Sequence, residues 1–224
     1  MNPIHNTTRH IIVCEGESER KYLQQLQSFL DKHPTPDGSY DQPLIFIPST
    51  RVTTHGGHFT PVIKDYRAVF KKNRPPPRKT HMHIWVDFDL YHRNDHGNAD
   101  SYKRKSKQHP NIPDFHFSFY NFEDFIALHL DDAHFNEWKR IFQENGHFVT
   151  PLHEIDYLPA FRTLMPAYRK GDLPAGFVSQ ASLARLKRHK SSQPRANPKN
   201  LPHVQSFADF LVTQIEKSYP SLLI

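Results

Sequence analysis

The chain has 224 residues, 37% of them hydrophobic, with 17 His, 19 Pro, one Cys, a net charge of +6 and a pI near 9.3, which suits one loop-rich globular domain or a domain with an appendage. No apolar run approaches the ~20 residues of a helical membrane span, and the N-terminus lacks the apolar core of a signal peptide, so the sequence predicts a cytoplasmic protein. The single Cys14 excludes an internal disulfide and any multi-cysteine zinc site.

Residues 11–14, Ile-Ile-Val-Cys, are short, β-branched and uninterrupted, the pattern of a strand buried on both faces of a parallel sheet. Glu15 ends the strand and Gly16 allows a tight turn. Ser18 and Glu19 then open a helix whose Tyr22, Leu23, Leu26, Phe29 and Leu30 recur at helical spacing. Glu15 is thereby placed at the carboxyl end of a strand, where open α/β sheets put their ligands. A carboxylate there is costly to desolvate unless a cationic or protic group meets it. Glu17 and Glu19 fall in the first helical turn, where carboxylates oppose the macrodipole, and that account suffices for Glu17.

Residues 33–42 read as a loop and 44–47 as the next strand. Thr60-Pro61 has the form of an N-cap and N1 pair, ahead of a helix with Ile63, Tyr66, Val69 and Phe70 on its buried face. Residues 71–79, with three consecutive prolines, form a stiff basic connector. The strand at 81–86 leads into Asp87-Phe88-Asp89. Its His81 and His83 are read as ordinary strand residues, one toward a helix and one toward solvent, in preference to a metal pair. Asp87 and Asp89, two apart on extended backbone, point the same way. Their like charges repel unless a divalent cation lies between them, and oxygen-only ligation favours magnesium or manganese over zinc. Together with Glu15 they make a candidate metal site.

Residues 92–108, with Lys103, Arg104, Lys105 and Lys107, form a polar loop. Residues 115–118 alternate as a strand, and 121–130 form a helix with Glu123 and Asp124 in its first turn, where capping is the default account. From Ala133 the β signals fade. Helical patterns cover 135–143, 157–168, 180–189 and 206–217, with a Ser/Pro/Asn loop over 191–202. The prediction is an α/β core with a mostly parallel sheet over 1–132 and a helical, basic C-terminal region over 133–224 packed on it, without a clear linker. Residues 160–200 hold nine Lys or Arg against one acid, Asp172. Among them Lys170, Arg185, Lys187, Arg188 and Lys190 are the candidate nucleic-acid contacts.

The segments E-G-E-S-E-R-K-Y-L after one strand, D-F-D after another and S-F-Y-N-F-E-D-F-I-A-L-H-L resemble the RloB (AbiLii) family, which has a Toprim-type, Rossmannoid core. Ser118, Phe122, Glu123, Leu128 and His129 match that family's third motif, while Phe119, Tyr120 and Phe125 replace its usual Asn, Pro and Trp. Tyr168, Lys170 and Asn197-Pro198-Lys199 resemble its late pattern, so the resemblance covers nearly the whole chain. It implies a magnesium- or manganese-dependent nuclease acting in anti-phage defence, with Glu15 as catalytic acid/base. Asp87 and Asp89 would be metal ligands, Glu19 an additional one, and Glu123 a further metal or catalytic candidate. It also implies an AAA/ABC-type ATPase partner of the RloA or AbiLi kind, and no G-x-x-x-x-G-K-[ST] motif occurs in this chain. The rival reading is a non-catalytic nucleic-acid- or partner-binding module of the same shape. A primase or topoisomerase is disfavoured by the lack of zinc-binding cysteines and of room for additional domains.

Overall fold

A computed structural model describes residues 8–34, 44–48, 59–72, 80–87, 115–118, 121–144, 154–192 and 204–224. Expectations for Asp89, for the loop at 92–108 and for Asn197-Pro198-Lys199 lie outside these residues, as do most of the other predicted loops; of the connector expected over 71–79, Lys71 and Lys72 instead continue the helix that begins at Phe59, and the rest lies outside.

Five strands form one wholly parallel sheet in the order β2-β1-β3-β4-β5. They are β1 (Thr8–Cys14), β2 (Leu44–Pro48), β3 (Thr80–Val86), β4 (Phe115–Phe117) and β5 (Val204–Ser206). The helices are α1 (Glu17–Leu30), α2 (Phe59–Lys72), α3 (Phe122–Ala127), α4 (Asp132–Glu144), α5 (Glu154–Leu164), α6 (Gln180–His189) and α7 (Phe207–Ser218). Parallel neighbours require crossover connections, and α1 and α2 supply the first two.

Alternation along the strands divides the core into two layers. Ile12, Cys14 and Trp85 join the main cluster with Tyr22, Leu23 and Leu26 of α1, Phe125 of α3 and Phe207 and Phe210 of α7. Trp85 is fully buried, stacks on Phe207 with ring centroids 3.6 Å apart and donates its indole N–H to Ser118 Oγ at 2.8 Å. Ile11, Val13, Ile84 and Val86 are buried outside that cluster, on the side where α2 packs against β1 and β3 through Val62, Ile63 and Tyr66. With helices on both faces and strand order 2-1-3, the chain reverses its direction of growth between β1 and β3. That makes the crevice at their carboxyl ends the topological switch point of the sheet.

The expected fading of β structure after residue 133 is corrected by β5. Its three residues pair with β4 in register Phe115↔Val204, His116↔Gln205 and Phe117↔Ser206. A strand this short shows no alternation to read, and the sheet edge beside β4 stabilises it. The helix predicted over 121–130 also ends early. Leu128, His129 and Leu130 bond back to Phe125, Ile126 and Ala127, three residues away, which tightens the last turn out of α-helical geometry.

Candidate functional site

Glu15 and Asp87 meet at the switch point. The parallel ladder carries one bond past β1, from Glu15 N–H to the Trp85 carbonyl at 3.1 Å. The Asp87 N–H then donates to Glu15 Oε2 at 2.9 Å. The two acidic strand ends are thus adjacent, and Glu15 is buried, at 8% exposure.

Helix α1 starts directly after Glu15 and turns its acids to different tasks. Glu17 is partly exposed and pairs with Arg20 one turn on, a local surface contact. Glu19 is 3% exposed. At the third helical position its carboxylate reaches back to the N–H of Gly16, the N-cap, as in half of a capping box. A Cβ on Gly16 would lie 3.0 Å from Glu19 Oε2, so any larger residue here requires the carboxylate to shift by a few tenths of an ångström. Burial, and then the charge of Glu15, push the Glu19 carboxyl up to about 8, with a smaller contribution from Glu123.

Helix α3 separates two roles that the sequence assigns jointly to its first turn. Asp124 forms a capping box with Asn121 and accepts the Trp138 indole N–H at 2.8 Å. Glu123 takes no part in that box: buried at 2% exposure, it accepts the Tyr168 hydroxyl at 2.7 Å and bears electrostatically on Glu19. The capping box is thus the work of Asp124, while Glu123 meets its own backbone N–H in the first turn and turns inward to Tyr168. Burial raises the Glu123 carboxyl, and Tyr168, Lys170 and Tyr157 oppose that rise.

The segment after α5 completes the site. Asp172 N–H bonds to the Arg169 carbonyl at 2.8 Å, closing a tight turn in which Gly171 has φ +81°, a conformation that favours glycine. The Gly171 N–H donates to Ser18 Oγ at 3.0 Å. Ser18 also bonds to the Tyr168 oxygen, whose own proton goes to Glu123. The turn thus docks on the start of α1 and holds Tyr168 over Glu123, with Lys170 near enough to favour the ionised carboxylate. Tyr168 matched the family pattern without a role, and Ser18 and Tyr157 gave no sequence signal as site residues; the contact between Ser18 and Gly171 spans 153 positions.

His129, also in the third motif, is structural. Its Nδ1 faces the Phe125 carbonyl at 3.2 Å and so carries the proton, leaving Nε2 to accept the Tyr22 hydroxyl at 2.9 Å. Burial lowers its pKa to about 3. His81 is exposed at the start of β3, while His83 packs on Phe210 with ring centroids 4.6 Å apart.

The candidate nucleic-acid contacts on α6 and at its C-cap, Lys190, are engaged with acids. Lys187 meets Glu216 at 3.1 Å, Arg188 meets Asp132 at 2.6 Å and Lys190 meets Asp209 at 2.8 Å. Arg185 bears electrostatically on Asp131. His189, stacked on Phe135, directs Nε2 to Asp132 at 2.8 Å and Nδ1 to the Leu128 carbonyl at 3.1 Å. These contacts fasten α6 to the start of α4 and to both ends of α7, and they leave Lys170 as the predicted cation beside the acidic site.

Glu15, Glu19, Glu123 and Asp87 supply only oxygen donors, which suits a hard divalent ion in kind. Burial raises Glu19 most, and the further rise from the charges of Glu15 and Glu123 is what such an ion relieves. Among the described residues no three His, Cys, Asp or Glu side chains converge closely enough to enclose one as they stand. No protein-family model, curated protein or solved structure was found to match the chain.

Proposed function

We propose that the chain is a magnesium- or manganese-dependent nuclease with a Toprim-like, RloB-type core, hydrolysing phosphodiester bonds of DNA or RNA, tRNA among them, as an effector of anti-phage defence. The observation that carries this reading is the pairing of Glu15 with the Asp87 backbone at the switch point, with Glu19 and Glu123 buried beside them. Like-charged carboxylates buried together need either a counter-charge or protonation, and a divalent ion would supply the first.

Glu19 and Asp87, with Asp89 from the D-F-D motif, are the residues that would hold the ion. When bound, it neutralises charge developing on the phosphoryl oxygens and acidifies a water. The chain's own groups do the remainder. Glu15 moves a proton to or from the reacting oxygen, and Glu19, raised by burial and by Glu15, would give up its proton to take the ion. Tyr168 fixes Glu123, and Lys170 offsets the negative field so that a phosphate can approach. An AAA/ABC-type ATPase partner would supply any nucleotide dependence. Among the described residues no helix is long and apolar enough to cross a membrane.

The test incubates the protein, alone and with such a partner, with DNA and RNA in magnesium, manganese or EDTA. Metal-dependent cleavage that is lost by at least about 10²-fold in Glu15→Gln and Asp87→Asn is expected, the scale seen when general acid/base groups are removed. Absence of cleavage under every condition, with biological activity intact in both variants, assigns the chain to the binding-module class instead.

A further inference from the structure

A second basic surface lies on the other side of the sheet. Helix α2 turns Val62, Ile63 and Tyr66 inward and leaves Lys64, Arg67, Lys71 and Lys72 exposed. At about 100° per residue, Lys64, Arg67 and Lys71 fall within about 60° of one another around the helix, and Lys72 adjoins them. Asp65 is the one acid between 62 and 72, so this stretch carries +3. Lys187, Arg188 and Lys190 on α6 carry +3 and face Asp132, Asp209 and Glu216, which cancel it. Among the described residues no acid comes within ion-pairing distance of Lys64, Lys71 or Lys72.

Among the described residues the lysines of α2 are therefore less offset by neighbouring acids than Lys187, Arg188 and Lys190, although the sequence concentrates its cations between 160 and 200. From Lys64 to Lys72 the stripe runs about 12 Å along the axis, the length of roughly three to four phosphates on one strand of B-form DNA. Because α2 leads from the carboxyl end of β2 to the amino end of β3, the stripe extends back from the edge that holds Glu15 and Asp87. An anionic membrane is the poorer fit, since binding in that mode inserts an apolar helix face and the apolar side of α2 is committed to the sheet.

We propose that the exposed face of α2 binds the phosphodiester backbone of the nucleic-acid substrate, and that the basic face of α6 does not. The inference rests on the nuclease reading for the identity of the polyanion and adds to it the surface that holds the substrate.

The test is fluorescence anisotropy of the full chain with fluorescein-labelled 30-base DNA and RNA oligonucleotides in EDTA, titrated over a range of salt. Lys64→Gln, Lys71→Gln and Lys72→Gln are combined in one variant, the same three changes to Arg in a second, and Lys187→Gln, Arg188→Gln and Lys190→Gln in a third. With about 0.7 counterions released per single-strand phosphate contact, the first variant is expected to bind roughly 10²-fold more weakly at 0.1 M salt, with a salt slope shallower by about 2. The Arg variant and the α6 variant should bind as the wild type does. Oligonucleotide protection of Lys64, Lys71 and Lys72 from acetylation, read on the wild type by mass spectrometry, checks the surface without any substitution. Wild-type affinity in the α2 Gln variant, equal loss in the α6 variant, or α2-dependent binding to phosphatidylserine vesicles without binding to oligonucleotides overturns the proposal. Cleavage at unchanged KM in the α2 Gln variant sinks the surface and leaves the nuclease; α2-dependent binding with no cleavage in any metal does the reverse.

Discussion

A carboxyl group with a pKa near 8 is mostly protonated at pH 7, and Glu19 is such a group. Its folded-state value lies above the ordinary 4.5, so its contribution to stability is fully present below about pH 4.5 and is lost as pH rises toward 8. Glu19→Gln keeps the acceptor for the Gly16 N–H and removes the charge. The variant is expected to be more stable than the wild type by ~1–3 kcal/mol at pH 8 in EDTA, a gap that narrows toward pH 5. Urea titrations at both pH values check this, and wild-type and variant curves that run parallel would refute it. At this scale the site is half legible. Glu15 and Asp87 could be found because a charge that ends an apolar run stands out locally. Glu123 was visible, but nothing in F-E-D says which of two neighbouring acids caps the helix and which turns inward; Trp138 and Tyr168, both far along the chain, decide that.

Strands and helices with strong periodicity were legible to within a few residues, as α6 and β3 illustrate. Which strand residues would meet was not, because register is a property of two strands. Three histidines show this. His10 on β1, His83 on β3 and His116 on β4 form a row across the sheet under Phe210, linked Nδ1 to Nε2 at 2.9 Å in both steps. One neutral ring can donate to the next all along the row, leaving His10 Nε2 and His116 Nδ1 buried without partners at its ends. Burial lowers their pKa values to about 4, 2 and 3, with neighbouring imidazoles adding to the shift. All three lie below 6.5, so stability is full above that pH and declines as pH falls toward the folded values. Each ring removes up to about 1.4 kcal/mol per pH unit in that window, and His129 adds a fourth. Glu19 and Glu123, both raised by burial, act oppositely, so a net of about two to three protons should be taken up on unfolding near pH 5. Urea unfolding at pH 7, 6 and 5 measures the slope, and equal stability at all three would show that the row is not buried and neutral. His83→Leu should flatten the slope by up to one proton.

The parallel sheet crosses the boundary expected near residue 132, since β5 closes the edge beside β4 and α7 packs Phe207 against Trp85. The α/β class was readable because βαβ alternation is written into the first half of the chain. The participation of the last twenty residues was not, since three strand residues cannot outvote the helical signals around them. The candidate site is likewise drawn from distant parts, with Glu15 and Ser18 from one end, Glu123 from the middle and Tyr168 to Gly171 from near the other.

The bond between Ser18 and Gly171 sets a schedule as well as a shape. At about 5–20 residues per second, a ribosome needs roughly 10–30 s to travel from one partner to the other. Throughout that interval the nascent chain already displays Glu15 and Glu19 but lacks the turn that seats Tyr168 on Glu123. A cell making this protein is therefore expected to carry no assembled site on its polysomes. Ribosome-arrested chains halted at residue 150 should show neither cleavage nor protection of Ser18 in footprinting, whereas chains tethered by a linker after residue 224 should show both. Activity in the shorter chains would mean that the late turn is dispensable.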